Sequence, residues 1–257
     1  MESAFDLLGY DTETTSPTPA TTRVVQAAAI LRKPDGSKTT VVNQLCNPGC
    51  SISDGAREVH GISDEMVEDK ESDTVVMGKL HAYVKENRTK IIVIGHNIVG
   101  FDLPILFRVG GDGEKIDVLY IDTFVAAIRI FPDAHSHKLG ELYEWFGFGA
   151  PTGAHEAEAD IEMVFNIADY MRTGLKMSWE EMARWTMKAR ALKRCHFGKH
   201  KGKLWGKPVP GDNLTPQHFV PWPYVKHVIC DKFDPTPDLV ETMRVKYGLR
   251  FKKRSLL

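Results

Sequence analysis

The order of strand-like and helix-like segments is the feature that most constrains the fold of this 257-residue chain. The apolar run FDLLGYD is followed by RVVQAAAILR and KTTVVNQLC, which read as strands and are separated by a Pro-Asp-Gly turn. Further along, the runs KIIVIGH and KIDVLYID alternate with helical segments. A hairpin followed by such alternation predicts a mixed α/β sheet with helices packed on its faces.

The clearest predicted helix is AEADIEMVFNIADYMR, which Gly174 is expected to end. Its apolar residues follow the i, i+3, i+4, i+7 spacing and form one core-facing stripe: Ile161, Val164, Phe165, Ala168 and Met171. The other predicted helices are Asp54 to His60, Asp64 to Val67, Thr74 to Glu86, DLPILFRV, Asp122 to Ile130, HKLGELYEWFG and one beginning near MSWEEM.

Charge is distributed unevenly along the chain. Residues 1–175 contain 15 Lys and Arg against 27 Asp and Glu, a net charge of −12, whereas residues 176–257 contain 18 against 7, a net charge of +11. A basic segment beside an acidic one suits a protein that gathers carboxylates around cations and must still bind a polyanion. A solvated basic surface is the alternative. We predict a catalytic domain at 1–175, a linker helix at 176–190 and a basic module at 191–257.

Composition argues against an exported or membrane protein. No run approaches eighteen apolar residues, and MESAFDLLGYD lacks a basic region followed by an apolar one, so we expect a cytoplasmic protein without a membrane partner. The four cysteines are too few and too scattered for a disulfide framework. A zinc site from Cys195, His196, His200 and Cys230 can be drawn, but its spacing matches no common pattern, and ordinary thiols are the alternative.

Acidic side chains on or directly after two of the predicted strands are candidates for binding a cation. Asp11 and Glu13 are two residues apart on a predicted strand, so both carboxylates project to the same side. Asp102 follows a predicted strand at the edge where open α/β sheets bind ligands, and it also stands where a helix N-cap belongs. The two roles are compatible. Converging carboxylates suit Mg²⁺ or Mn²⁺, which prefer oxygen ligands.

A histidine and an acid, His155 and Asp160, form a third candidate group. In one regular helix they would point about 140° apart. We therefore expect His155 in the loop or first turn, with Asp160 facing the site from the helix. Histidine is suited to accepting a proton from water near neutral pH, although a solvated loop histidine is the alternative.

Together, DTETT, HNIVGFD and HEAEAD resemble the three motifs of the DEDDh, or DnaQ-like, 3′-to-5′ exonuclease superfamily. The segments EVHGISDEMV and HKLGEL are similar to further stretches of that family. The resemblance implies an α/β, ribonuclease H-like fold: a mixed five-stranded sheet flanked by helices, with a small basic C-terminal module added. It also implies hydrolysis of phosphodiester bonds from the 3′ end of DNA, single-stranded by preference, with two Mg²⁺ or Mn²⁺ ions and release of nucleoside 5′-monophosphates.

The same resemblance implies roles for individual residues. Asp11 would bridge two cations, Glu13 and Asp160 would complete the first site, and Asp102 would hold the second. His155 would be the general base. Four residues match positions that line the family's terminal-nucleotide pocket: Thr14, His60, Asn97 and Phe101. Phe101 could equally belong to the core.

The basic C-terminal segment resembles the small module of exodeoxyribonuclease X-like proteins, through FGKHKGKLW and PWPYVKHV. There, Lys199, Lys201 and Lys203 would contact phosphates, and Trp205 or Trp222 would stack on a base. A folded appendage with core tryptophans is the alternative.

DNA is the expected partner, and an exoribonuclease of the same fold, acting on RNA, is the enzymatic alternative. A non-catalytic nucleic-acid-binding or polymerase-associated module is the alternative from another class. A homodimer and association with a polymerase both stay open.

Overall fold

The computed structural model describes residues 5–150, 157–192, 194–195, 198–206, 219–220 and 237–247. The chain divides into two compact units, Met1–Ala126 with Ser136–Met187 and Ala127–His135 with Lys188–Leu257. Within the described ranges, no helix is long and apolar enough to cross a bilayer. The assignment of separate functions to the two units stays a prediction.

A mixed five-stranded sheet lies in the first unit, with strand order β3-β2-β1-β4-β5. Its strands are β1 (Asp6–Thr14), β2 (Val24–Arg32), β3 (Lys38–Leu45), β4 (Ile91–Gly95) and β5 (Leu119–Asp122). The pairs β1-β2 and β2-β3 are antiparallel, whereas β1-β4 and β4-β5 are parallel. Short turns can join antiparallel strands, whereas parallel strands need longer crossover connections. The predicted hairpin therefore corresponds to β2 and β3, and the strands predicted to alternate with helices correspond to β4 and β5. The predicted fold class is confirmed.

Helices follow and connect these strands. They are α1 (Asp54–His60), α2 (Asp64–Val67), α3 (Asp73–Asn87), α4 (Asp102–Ile105), α5 (Thr123–Ile130), α6 (Leu139–Trp145), α7 (Ala157–Leu175), α8 (Trp179–Met187) and α9 (Pro237–Tyr247). The helix α9 is not predicted from the sequence, although Leu239 and Met243, four residues apart, are buried on one side of it.

The segment DLPILFRV is not one regular helix as predicted. Helix α4 ends at Ile105, and a π-helical turn, Leu106–Gly110, follows it. This turn packs on α3, where a Cβ added at Gly110 would lie 2.3 Å from the carbonyl oxygen of Met77. Gly110 permits this close approach of the two backbones because it has no side chain.

Strand β1 lies directly against helix α7. A Cβ added at Gly9 would lie 2.4 Å from Ile161 Cγ2 and 2.8 Å from Phe165 Cζ, so a glycine is needed for this approach. Because alternate strand residues share a face, Asp11 and Glu13 project to the same side as Gly9, toward α7. All five residues of the predicted apolar stripe of α7 are buried.

Candidate metal centre

Three carboxylates from two elements meet beside the sheet. Asp11 and Glu13 are partly buried on β1, and Asp160 stands in the first turn of α7, which packs on β1 and β2. One carboxylate oxygen of each residue lies within 4.8 Å of the others. In the part of the chain that the structure describes, no other set of three or more His, Cys, Asp or Glu side chains has this geometry. The three predicted ligands of one cation are therefore brought together.

The cluster is electrostatically unfavourable by itself. Burial, and then the charges of Asp102, Asp160 and Glu13, raise the pKa of Asp11 well above its ordinary value. Burial, followed by the charges of Asp160 and Asp102, raises the pKa of Glu13 from 4.5 to about 7. A divalent cation would offset this repulsion, and a set of carboxylate oxygens is what Mg²⁺ and Mn²⁺ prefer. The donor set fits the predicted cations.

Asp102 borders this cluster without belonging to it. Its Oδ1 accepts a hydrogen bond from Thr12 Oγ1 at 2.7 Å, and its carbonyl oxygen accepts one from the Tyr10 hydroxyl at 3.4 Å. Burial raises the pKa of Asp102 to about 7, although the bond from Thr12 lowers it. Asp102 in turn raises the pKa of both Asp11 and Glu13, so it acts on the cluster through its charge.

The prediction that Asp102 caps a helix is wrong. The cap position of α4 is Phe101, and Asp102 is the first helical residue. Its carboxylate turns toward Thr12 on β1. Phe101 itself is partly buried and packs against the hydrophobic core, the alternative that its sequence position left open. Asn97, in the same loop, is exposed and has a positive φ of 63°.

Two of the predicted substrate-binding residues are bonded to the protein backbone. The Thr14 hydroxyl donates to the carbonyl oxygen of Ser16 at 3.0 Å. His60 Nδ1 accepts the Ile62 N–H at 3.0 Å, so the hydrogen of the neutral ring is on Nε2, which donates to the Thr14 carbonyl oxygen at 3.2 Å. His60 thereby ties the end of α1 to the end of β1.

The predicted phosphate and base contacts lie in the second unit. Lys199 and Lys201 are exposed and Lys203 is partly buried. Trp205 is 3% exposed, so its ring is a buried side chain, and the prediction that it stacks on a base is wrong. Trp222 lies outside the described residues.

Other predicted residues also fall outside the described ranges. These are His155, the expected general base, and His196 and Cys230 of the zinc alternative. The remaining cysteine of that alternative, Cys195, is buried.

Two residues beside the candidate centre are not predicted from the sequence: Thr12, which bonds Asp102, and Asp122, which is buried at the end of β5. Each had a signal. Thr12 lies between two residues that share a face, so it must point to the opposite one. Asp122 is a carboxylate at the end of an apolar run, where burial without partners would be costly.

Residues 8–168 match the RNase_T family model, which is described as an exonuclease. The chain belongs to this exonuclease family. Among curated proteins it is similar to a DNA polymerase III subunit epsilon-like protein of Rhodobacter capsulatus, with 31% identity over 155 residues, covering 59% of this chain and 21% of that protein. It is also similar to Three prime repair exonuclease 2 of Homo sapiens, with 28% identity over 145 residues, covering 50% and 61%.

A third relative is DNA polymerase III PolC-type of Pediococcus pentosaceus, which is 26% identical over 141 residues. This match covers 54% of this chain. The chain spans only 9% of that relative's length and 21% of the epsilon-like protein's.

Solved structures share the fold of this family member. Exonuclease X in complex with 5′ overhanging duplex DNA has a TM-score of 0.52 and 22% identity, covering 70% of this chain and 99% of that one. E. coli Exonuclease I in complex with a dT13 oligonucleotide has a TM-score of 0.55 and 20% identity, covering 66% and 41%.

The raised carboxyl pKa values predict how stability depends on pH in the absence of metal. The folded state holds protons on Glu13 and Asp102 more tightly than the unfolded state, so the free energy of unfolding in EDTA should fall as pH rises from about 4.5 to about 7. Urea denaturation across this range measures the slope. Saturating Mg²⁺ should flatten it at the upper end, and Glu13→Gln should make it shallower. A slope that neither change alters would contradict this origin.

Proposed function

We propose that this protein is a divalent-cation-dependent exonuclease that hydrolyses phosphodiester bonds at the 3′ end of DNA and releases nucleoside 5′-monophosphates. The observation that supports this most is the carboxylate cluster of Asp11, Glu13 and Asp160 in a member of the exonuclease family. Without cations, such a cluster would repel the phosphodiester that it has to approach. A purely nucleic-acid-binding module has no need for that repulsion.

Each acid has a proposed part in holding cations. Asp11, Glu13 and Asp160 would hold one ion, and Asp102 with Asp11 would hold a second. When bound, the ions supply positive charge that stabilises the attacking and leaving oxygens and the phosphate between them. His155, from its place in the H-x4-D motif, would accept the proton of the attacking water.

The surrounding residues orient these groups. The Thr12 hydroxyl fixes one oxygen of Asp102. His60 holds the backbone of Thr14, immediately after Glu13. Asn97, which is exposed in the loop before Asp102, would contact a terminal nucleotide. Phe101 would act through packing, since it lies against the core.

The relatives and the similar solved structures favour DNA as the substrate. Exonuclease X was solved with 5′ overhanging duplex DNA and Exonuclease I with a dT13 oligonucleotide. The matched relatives include two PolC-type DNA polymerases III and an epsilon-like polymerase subunit, which makes a polymerase a candidate partner.

Degradation of end-labelled nucleic acids tests this proposal. With Mg²⁺, 5′-labelled single-stranded DNA should shorten stepwise from its 3′ end, and EDTA should stop the reaction. Asp11→Asn and Asp160→Asn should each lower the rate roughly 1,000-fold, because losing a ligand removes several kcal/mol of charge stabilisation. Asp169→Asn is the matched control, since Asp169 lies on the same helix but pairs with Arg32, and it should keep wild-type activity.

The substrates in that assay separate the alternatives. Shortening of single-stranded RNA but not DNA would make the protein an exoribonuclease. Binding of DNA without any Mg²⁺-dependent cleavage would make it a non-catalytic module and would overturn the proposal. A duplex with a 5′ overhang shows whether double-stranded DNA is also degraded.

A tight turn in the second unit carries the proposed phosphate contacts. Cys195 N–H donates to the Lys203 carbonyl oxygen at 2.8 Å, and Gly202 N–H donates to the Cys195 carbonyl oxygen at 2.7 Å. Lys199 and Lys201 lie between these bonded residues and are exposed. One of them is already engaged, because Lys201 Nζ donates to the carbonyl oxygen of His135.

Replacing Lys199, Lys201 and Lys203 together with Ala should weaken DNA binding and lower the slope of log affinity against log salt by about 2 to 3, because fewer counterions are released. Fluorescence anisotropy with labelled single-stranded DNA at several salt concentrations measures this slope. The control replaces Lys79 and Lys85, which form surface ion pairs, and should leave the slope unchanged. An unchanged slope in the triple variant would make this turn purely structural.

A further inference from the structure

Asp122 is a buried carboxylate outside the carboxylate cluster, with 1% of its surface exposed at the end of β5. Its Oδ1 accepts the N–H groups of Asn97 at 3.1 Å, Phe124 at 3.0 Å and Val125 at 3.1 Å. Its Oδ2 accepts the Val99 N–H at 3.1 Å. Two of the four donors are in the first turn of α5, and two are in the loop between β4 and α4. One side chain therefore joins these two segments.

The loop at residues 96–101 has a conformation that needs such support. Asn97 has a φ of 63°, in the left-handed region that residues other than glycine rarely adopt. Within the loop, Gly100 N–H donates to the Asn97 carbonyl oxygen at 3.0 Å. Because β4 and β5 are parallel neighbours with Gly95 opposite Asp122, the carboxylate at the end of β5 reaches the amides just beyond the end of β4.

His96 joins the start of the loop to Thr123, the residue after Asp122, and to His137. Its Nδ1 lies 2.9 Å from Thr123 Oγ1, and its Nε2 lies 2.8 Å from the carbonyl oxygen of His137. Burial lowers the pKa of His96 to about 4, so the ring is neutral near pH 7. A neutral ring bonded on both sides is a fixed support for the residue that precedes Asn97.

The loop leads directly into Asp102, whose carboxylate is oriented by Thr12 on the other flank. We propose that Asp122 is a positioning residue: it holds the 96–101 loop through the Asn97 and Val99 amides and so sets the place of Asp102 beside the cluster. This inference rests on the proposed function of Asp102 as a cation ligand. Asp122 acts through the backbone and contacts neither cation nor substrate.

The chemistry requires a carboxylate at this position. An ionised Asp accepts at both oxygens, and N–H bonds to a charged acceptor are stronger than neutral ones. An Asn of the same size would keep one acceptor oxygen and turn an NH₂ group toward N–H donors. Asp122→Asn therefore removes the hold on part of the loop with little change in volume.

Asp122→Asn should raise the Mg²⁺ concentration needed for half-maximal thermal stabilisation by about 10 to 100-fold, the usual effect of losing a residue that orients a metal ligand. Amide exchange at Asn97 and Val99, followed by NMR, should accelerate at least tenfold. Asp73→Asn is the matched control, because Asp73 is also a fully buried carboxylate, bonded instead to Arg23 and the Val24 amide. It should lose stability while leaving both readouts unchanged.

An unchanged Mg²⁺ requirement in Asp122→Asn, or an equal shift in Asp73→Asn, would reduce Asp122 to a general structural role and overturn the proposal. If Asp122→Asn does not fold, amide exchange in the wild-type protein shows whether the loop is held. Protection of the Asn97 and Val99 amides supports the hold on the loop, and exchange at unprotected rates refutes it. If the wild-type protein binds no Mg²⁺, the proposed function fails, whereas the exchange data still report on Asp122.

Discussion

Holding three carboxylates within 4.8 Å of one another costs free energy that hydrogen bonding to the protein does not fully recover, and the raised pKa values of Asp11 and Glu13 are the sign of it. The sheet makes this arrangement possible. Asp11 and Glu13 lie on β1 where it pairs with β2, opposite Ala28 and Gln26, so the strand holds both carboxylates on one side. The acids stay together, and a divalent cation is the chemical species that offsets their mutual repulsion.

The close contact between β1 and α7 brings the third acid into the group. Gly9 has no side chain, and any larger residue there would collide with Ile161 and Phe165. These two residues belong to the same apolar stripe that anchors α7, whose first turn carries Asp160. Packing in the core and the geometry of the centre are therefore linked through one glycine.

Local patterns predict the parts of this site that depend on local geometry. Strand alternation places Asp11 and Glu13 on one side, and the structure confirms it. The orientation of Asp102 could not be predicted in this way, because its partner Thr12 is 90 residues away in sequence. The bonds of Asp122 to the 96–101 loop likewise depend on β4 and β5 being neighbours. Trp205 shows a further limit, since a tryptophan in a basic segment has the same pattern whether it is buried or stacks on a base.

If the proposed function is correct, the carboxylate cluster binds a divalent cation before any nucleic acid is present. Isothermal titration of Mg²⁺ or Mn²⁺ into the protein alone, near pH 7.5, measures this binding. We expect saturable binding by the wild-type protein, weakened at least tenfold in Asp160→Asn, with protons released as the cation displaces them from the carboxyl groups. Heat of dilution alone, or equal affinity in Asp160→Asn, would contradict it.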